Sequence, residues 1–328
     1  MTIHDFSAPQ ALPRRTFISA ACCFALLPLS AQAAYPEQVI KLFVGFPPGG
    51  GGDTYGRALA NALGKVMGKT VIIENRAGAG GTLAASVVAR AKPDGYSLLL
   101  VLSGNFSAAP AVNAELSYKV PDDFVPIAKF VDSPYGIMVA ANSPYKTIND
   151  YLTAAKSGKL TFAAVGTGGA SHLVMELLKQ KTGLKIMHVP YKGASAAMNE
   201  LFGGLVDSFI NPYVPLMPQI KGGKMRILAI TGNSRMASIP DVPTFKEAGI
   251  DIDMNLWYGI VAPAGTPKDV IDKLTSATKE SLKDPELMRI LQTDGGSVLP
   301  MYGDDFRRLI VSDMARFKEV AQKSNIVQ

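Results

Sequence analysis

The chain has 328 residues, 48% hydrophobic and 18% charged, with a formal net charge of +6 at neutral pH. That composition fills one large or two medium cores, and the basic residues are too scattered for a nucleic-acid footprint. Cys22, Cys23 and His4 all fall in the first 33 residues. If that segment is removed, no disulfide, thiolate nucleophile or histidine-rich metal centre can form.

Residues 1–33 read as a cleavable export signal. Arg14-Arg15 precede an apolar run through Leu29, and Ala31-Gln32-Ala33 gives a small-x-small cleavage site. The run is shorter than a bilayer span of about 20 apolar residues, and no later segment qualifies. The Arg-Arg-x-Phe-Ile order resembles a twin-arginine signal, but paired arginines also begin ordinary secretory signals, so both routes stay open.

Val39 to Val44 is rich in β-formers and predicts a buried strand. The next stretch, Phe46 to Arg57, carries the run Gly49-Gly50-Gly51-Gly52-Asp53-Thr54. Leu59, Ala62, Leu63, Val66 and Met67 then trace the apolar stripe of a helix. Glycines let backbone N–H groups approach a ligand, and a helix start adds partial positive charge, which together suit an anion or carboxylate. The same run also reads as a tight turn with Asp53 as the helix N-cap. It lacks the Gly-Lys-Ser/Thr of a P-loop and fits no dinucleotide fingerprint. A small carboxylic acid fits better than a nucleotide.

Val71 to Ile73 predicts a second strand, followed by the turn Gly78-Ala79-Gly80-Gly81 and a helix over Leu83 to Ala91. Ser97 to Leu102 predicts a third strand, ending in Ser103-Gly104-Asn105. A second run starts near Gly136, with strands at Ile137–Ala140 and Leu160–Val165 around a helix at Ile148–Ala155. The turn Gly166-Thr167-Gly168-Gly169-Ala170-Ser171-His172 then leads into another helix. Lys185–Val189, Val206–Ile210 and Ile227–Thr231 predict further strands, and Trp257–Val261 a return strand to the first half. Val270–Leu282 and Phe306–Val320 predict amphipathic helices. Alternating strands and helices predict an α/β architecture with a parallel sheet, whose ligand edge lies at the strand C-termini. On that ground Ser103, Asn105 and Asn211 are candidate ligand contacts.

These segments resemble, in order, the extracytoplasmic solute receptors of tripartite tricarboxylate transporters, the Bug-type family. The matching pieces are Tyr35-Pro36, the Phe46–Arg57 loop, Glu74 to Gly81, Pro93-Asp94-Gly95-Tyr96 and Gly166-Thr167-Gly168. His188 to Gly193, Pro240 to Thr244 with Glu247-Ala248-Gly249, and Ala262 to Pro267 complete the series. The resemblance implies a two-domain periplasmic binding protein of type II, a Venus flytrap with a central cleft. Residues 34–134 with 256–328 would form domain 1 and 135–255 domain 2. It further implies ligand contacts, mainly through backbone groups and waters, from Phe46, Pro48, Gly49, Gly50, Gly51, Gly52, Asp53 and Thr54. Thr167, Gly168, Gly169, Ala170, Ser171 and His172 would face them. Gly52 stands where the family usually has Thr or Ser, a lost hydroxyl that bears on ligand choice.

The expected function is a periplasmic, non-enzymatic, monomeric receptor. It would bind an organic acid or acidic amino-acid-like ligand and hand it to large and small membrane subunits, with no cofactor, metal or nucleic acid. The alternatives are a receptor for an ATP-driven importer or signalling kinase, and an exported α/β enzyme. Ser171-His172 lacks both an elbow motif and an orienting acid, which speaks against a hydrolase. His172 is open between bonding a ligand carboxylate and capping or packing locally. Tyr191-Lys192-Gly193 reads as a solvated turn, and Trp257 and Tyr258 as packing between domains.

Overall fold

A computed structural model describes residues 1–2, 35–293 and 295–326. The expected signal, with Arg14-Arg15 and Ala31–Ala33, lies outside the described residues. Met1–Tyr35 and Pro36–Gln328 are separate units, and the second carries the fold.

Two sheets organise residues 36–328. The first contains β1 (Ile40–Val44), β2 (Val71–Asn75), β3 (Ser97–Leu102) and β4 (Phe124–Ser133), together with β10 (Leu256–Pro263) and β11 (Met301–Tyr302). Its order is β11-β4-β10-β3-β1-β2. The second contains β5 (Tyr135–Ala140), β6 (Thr161–Val165), β7 (Met187–Tyr191), β8 (Ser208–Pro212) and β9 (Met225–Ile230). Its order is β7-β6-β8-β5-β9. The chain crosses between sheets at Ser133–Tyr135 and returns between Ile230 and Leu256.

Among the described residues ten α-helices flank these sheets: α1 (Gly51–Met67), α2 (Thr82–Ala89), α3 (Ala109–Val112), α4 (Ile148–Ala155) and α5 (Ala170–Thr182) in the first half of the series, then α6 (Ala194–Phe202), α7 (Met217–Lys221), α8 (Lys268–Ser281), α9 (Pro285–Thr293) and α10 (Gly303–Lys323). Each sheet has its own core. Phe43, Leu99, Phe106, Phe124, Trp257 and Phe306 pack in the first, and Met138, Phe209, Tyr213, Leu201 and Ile227 in the second. Burial on this scale drives the fold, since each large apolar side chain contributes about 1.5–3 kcal/mol.

The sheets are mixed, not purely parallel as the sequence pattern suggests. β1 pairs in parallel with β2 and β3, whereas β10 runs antiparallel to β3 and β4. In the second sheet β6 is parallel to β7 and β8, while β5 is antiparallel to β8 and β9. The reason is that each sheet admits one long strand from a chain crossing between the two, and a crossing strand enters from the opposite end. β4, the longest strand, escapes the sequence pattern because Lys129 and Asp132 interrupt it. Both are buried, and they pair with each other.

Candidate functional site

The register of β1 against β2 sets the first part of the site. Val44 pairs with Asn75, so the last residue of β2 stands beside the chain as it leaves β1. Asn75 Nδ2 donates to Phe46 O at 3.0 Å and to Asp53 Oδ1 at 2.9 Å. Asp53 Oδ2 accepts the Gly49 N–H and Arg57 Nε–H, each at 2.9 Å. Arg57 Nη2 closes the ring by donating to Asn75 Oδ1 at 3.2 Å. Asp53 is only 4% exposed. Burial pushes its carboxyl up, but the bonds from Arg57, Gly49 and Asn75 outweigh burial and hold it below the usual carboxylate range.

Asp53 is therefore not the helix N-cap. The helix begins earlier, with Gly50 as N-cap and no side-chain cap bond, and Asp53 is the third helical residue. From there its carboxylate reaches back to Gly49, much as the acidic member of a capping box does. The Thr54 N–H is the first to bond within the helix, to Gly50 O at 2.9 Å. The N–H groups of Gly51, Gly52 and Asp53 are thus the first-turn donors outside the helical ladder.

The second turn repeats this plan. Gly166 N–H bonds Tyr191 O at 2.9 Å, which fixes the turn to β7. Gly169 is the N-cap of α5, and the Leu173 N–H bonds its carbonyl at 3.0 Å. Ala170, Ser171 and His172 therefore supply the first-turn donors. The Gly168 N–H, like that of Gly49, goes to a side chain four residues on: His172 Nδ1, at 3.0 Å. Gly168 has φ +74°, where a side chain is strained.

Each turn meets residues of the other half. A Cβ at Gly51 would lie 3.2 Å from Tyr258 Oη of β10, in its own sheet, and 4.0 Å from Pro215 Cγ, in the second sheet's segment after β8. A Cβ at Gly168 would lie 3.4 Å from Ile326 and 3.6 Å from Val112, both outside the second sheet's segment. Pro48, Gly49, Gly50, Thr54 and Thr167 are exposed, Phe46, Gly51, Gly169 and Ala170 half-buried, and Gly52, Gly168 and Ser171 buried.

The strand-end candidates are engaged by the protein itself. Asn105 Oδ1 accepts the Leu102 N–H at 2.8 Å, and its Nδ2 faces Gly81 O at 3.5 Å. Ser103 is fully buried and its Oγ donates to Asn255 O at 3.2 Å, where the chain returns to the first sheet. Asn211 is half-buried and its Nδ2 turns to Pro212 O at 3.2 Å. His172 presents Nδ1 to Gly168 and Nε2 to Glu176 Oε1 at 3.4 Å. Both ring nitrogens thus face the protein. Arg57, Asn75 and Glu176 were not singled out from the sequence. Only the Asp53/Arg57 spacing of four along a helix could have pointed to one of them.

Among the described residues no group of three or more His, Cys, Asp or Glu could hold a metal, and no helix is long and apolar enough to cross a membrane.

Two mixed sheets joined by crossing segments, with a glycine turn opening a helix on each, define a periplasmic solute-binding fold. The chain belongs to the tripartite tricarboxylate transporter family receptors, whose family model matches residues 56–326. It is similar to the solved periplasmic binding protein BugD, at 34% identity and a TM-score of 0.77, covering 89% of this chain and 99% of that one. It is similar also to MatC from Rhodopseudomonas palustris with bound malate, at 30% identity and TM-score 0.74, covering 87% and 99%. An R. palustris protein with adipate matches at 28% identity and TM-score 0.80, covering 89% and 99%.

Proposed function

We propose that this protein is a periplasmic receptor that binds a small carboxylate without chemical turnover and delivers it to the membrane subunits of a tripartite tricarboxylate-type transporter. The family supports this reading, as do the malate and adipate held by similar receptors. Residues 34–134 with 256–328 would form one domain and 135–255 the other, closing as a monomer on a shared ligand. The signal would be cleaved after Ala33, which mass spectrometry of exported protein checks: a chain retaining Cys22 and Cys23 contradicts it.

One observation carries the site assignment. Two helices, α1 and α5, start at glycine turns and each leaves three N–H donors outside its ladder, at Gly51–Asp53 and Ala170–His172. Such starts suit one carboxylate each, so a dicarboxylate fits better than a monocarboxylate. Asp53 is buried and already accepts from three donors, which leaves little of its carboxylate open to a ligand ammonium and favours an organic acid over an amino acid. Calorimetry with malate, adipate, aspartate and acetate tests this. The dicarboxylic acids should bind saturably at one per chain and be recovered unchanged; binding of aspartate alone would overturn the ligand class.

A further inference from the structure

Aromatic rings pack around His172 in the first turn of α5. His172 and His188 lie ring on ring, with centroids 3.7 Å apart and planes 17° apart, and Phe162 lies beside the pair, 4.9 Å from His188 and 6.0 Å from His172. Two rings, His188 from β7 and Phe162 from β6, thus hold the plane of His172 on α5. Glu176 Oε1 stands 3.4 Å from His172 Nε2 and also accepts from Lys179 Nζ at 2.6 Å. Burial pushes Glu176 up, but the His172 and Lys179 bonds overcome it and hold it at about 2, so it is a carboxylate. A carboxylate at Nε2 places the ring proton there and leaves the Nδ1 lone pair for the Gly168 N–H.

We infer that His172 is a positioning residue: its neutral ring, oriented by Glu176 and clamped by His188, latches the Gly168 N–H and so sets the second turn in its ligand-binding shape. Protonation opens the latch. A ring bearing hydrogens on both nitrogens has no lone pair for Gly168, and two N–H groups then face each other. The first turn has no such weakness, because its latch is Asp53, a carboxylate held ionised. The two turns therefore share one geometry but differ in acid sensitivity, and acidification should release the ligand from the second domain first.

The charged and titratable groups facing the ring are few. Glu176 and Lys179 come from its own helix and His188 from β7. His188 Nε2 finds no hydrogen-bond partner among the described residues, and burial, with the neighbouring His172, lowers His188 to about 4, so it stays a neutral plate. From α10, packed against α5, Glu319 and Lys323 pair with each other at 2.6 Å. Phe162 of β6 carries no charge.

The inference rests on the reading of Gly166–His172 as ligand site, and its test separates the two. Protection of the Gly168 amide against hydrogen exchange is measured without ligand across a series from neutral to acid pH. Malate affinity is measured in parallel. Wild type should lose about tenfold in Gly168 protection on acidification. His172→Phe keeps the ring stack but should lose that protection at every pH, with about tenfold weaker malate binding. His172→Asn, whose amide oxygen replaces Nδ1 and does not titrate, should keep protection and affinity flat with pH. Glu176→Gln should move the loss to lower pH, a change that simple packing would not produce. Equal Gly168 protection in wild type and His172→Phe, or pH-independent protection in wild type, overturns the latch whatever the ligand. Protection that behaves as stated while malate affinity ignores it leaves the latch standing as geometry and overturns the turn's role in binding.

Discussion

Asn75 Nδ2 lies 2.9 Å from Asp53 Oδ1, joining the end of the second strand to the first turn of α1 across 22 residues of sequence. The same nitrogen reaches Phe46 O. One amide thus fixes both ends of the glycine run, and the loop between them is held by its anchors rather than by its own residues.

That arrangement makes Asp53→Asn costly. Three donors converge on Asp53, and an amide supplies one acceptor and two hydrogens in place of two charged oxygens. We expect a loss of about 2–4 kcal/mol in denaturant unfolding, since bonds to charged groups contribute about 1.5–3 kcal/mol each. Asn75→Ala should cost about 1–3 kcal/mol by leaving Asp53 Oδ1 underbonded. If Asp53→Asn unfolds with wild-type stability, Asp53 is not the anchor of the loop.

Gly81 is the second fixed point. It has φ +97°, and a Cβ there would fall 2.8 Å from Asn105 Nδ2 and 3.1 Å from Phe46 Cζ. Gly81→Ala should therefore destabilise the fold by about 1–3 kcal/mol through strain and displacement of Phe46. Thermal unfolding measures it, and an unchanged melting temperature would show that the turn relaxes freely.

Asp313 gives the fold a pH signature. It accepts Trp257 Nε1–H at 2.7 Å, with its side chain only 7% exposed. Burial, joined by Asp253 and Asp132 and opposed by Trp257 and Arg316, pushes it up to about 6. Its folded value exceeds its unfolded one, so the stability of the neutral form is complete below about pH 4 and is lost as pH rises through 6. Asp313→Asn stays neutral and can still accept from Trp257. Relative to wild type it should gain up to about 3 kcal/mol above pH 7 and nothing near pH 4. A stability difference that does not change with pH would show that Asp313 keeps an ordinary carboxyl.

Much of this fold is readable from residues alone, because strands such as Ser97–Leu102 and helices such as Ile148–Ala155 carry clean periodicity and clear ends. β4 is less visible, since the buried Lys129–Asp132 pair looks like solvent-facing charge until its partners are known. The start of α1 is hidden for another reason. Glycines are poor helix formers, yet Gly51 and Gly52 are helical because the Asp53 anchors hold them. The two glycine turns are legible as turns that open α1 and α5, but what shapes them is not. Asn75 and His188 act from neighbouring strands, and no local pattern shows which turn a strand will stand beside.

The central claim is that first-turn N–H groups of α1 and α5 hold the ligand carboxylates. Gly51 and Ala170 are the first residues of those helices, where proline fits the backbone and deletes only the N–H. The residues before them, Gly50 (φ −80°, ψ 168°) and Gly169 (φ −66°, ψ 158°), already adopt the extended shape that precedes proline. Ala170→Pro is the cleaner of the two, because a Cβ at Gly51 also approaches Tyr258. Malate or adipate affinity should fall about 10- to 100-fold in Ala170→Pro, with unfolding unchanged. Wild-type affinity in a stably folded Ala170→Pro protein would contradict the account.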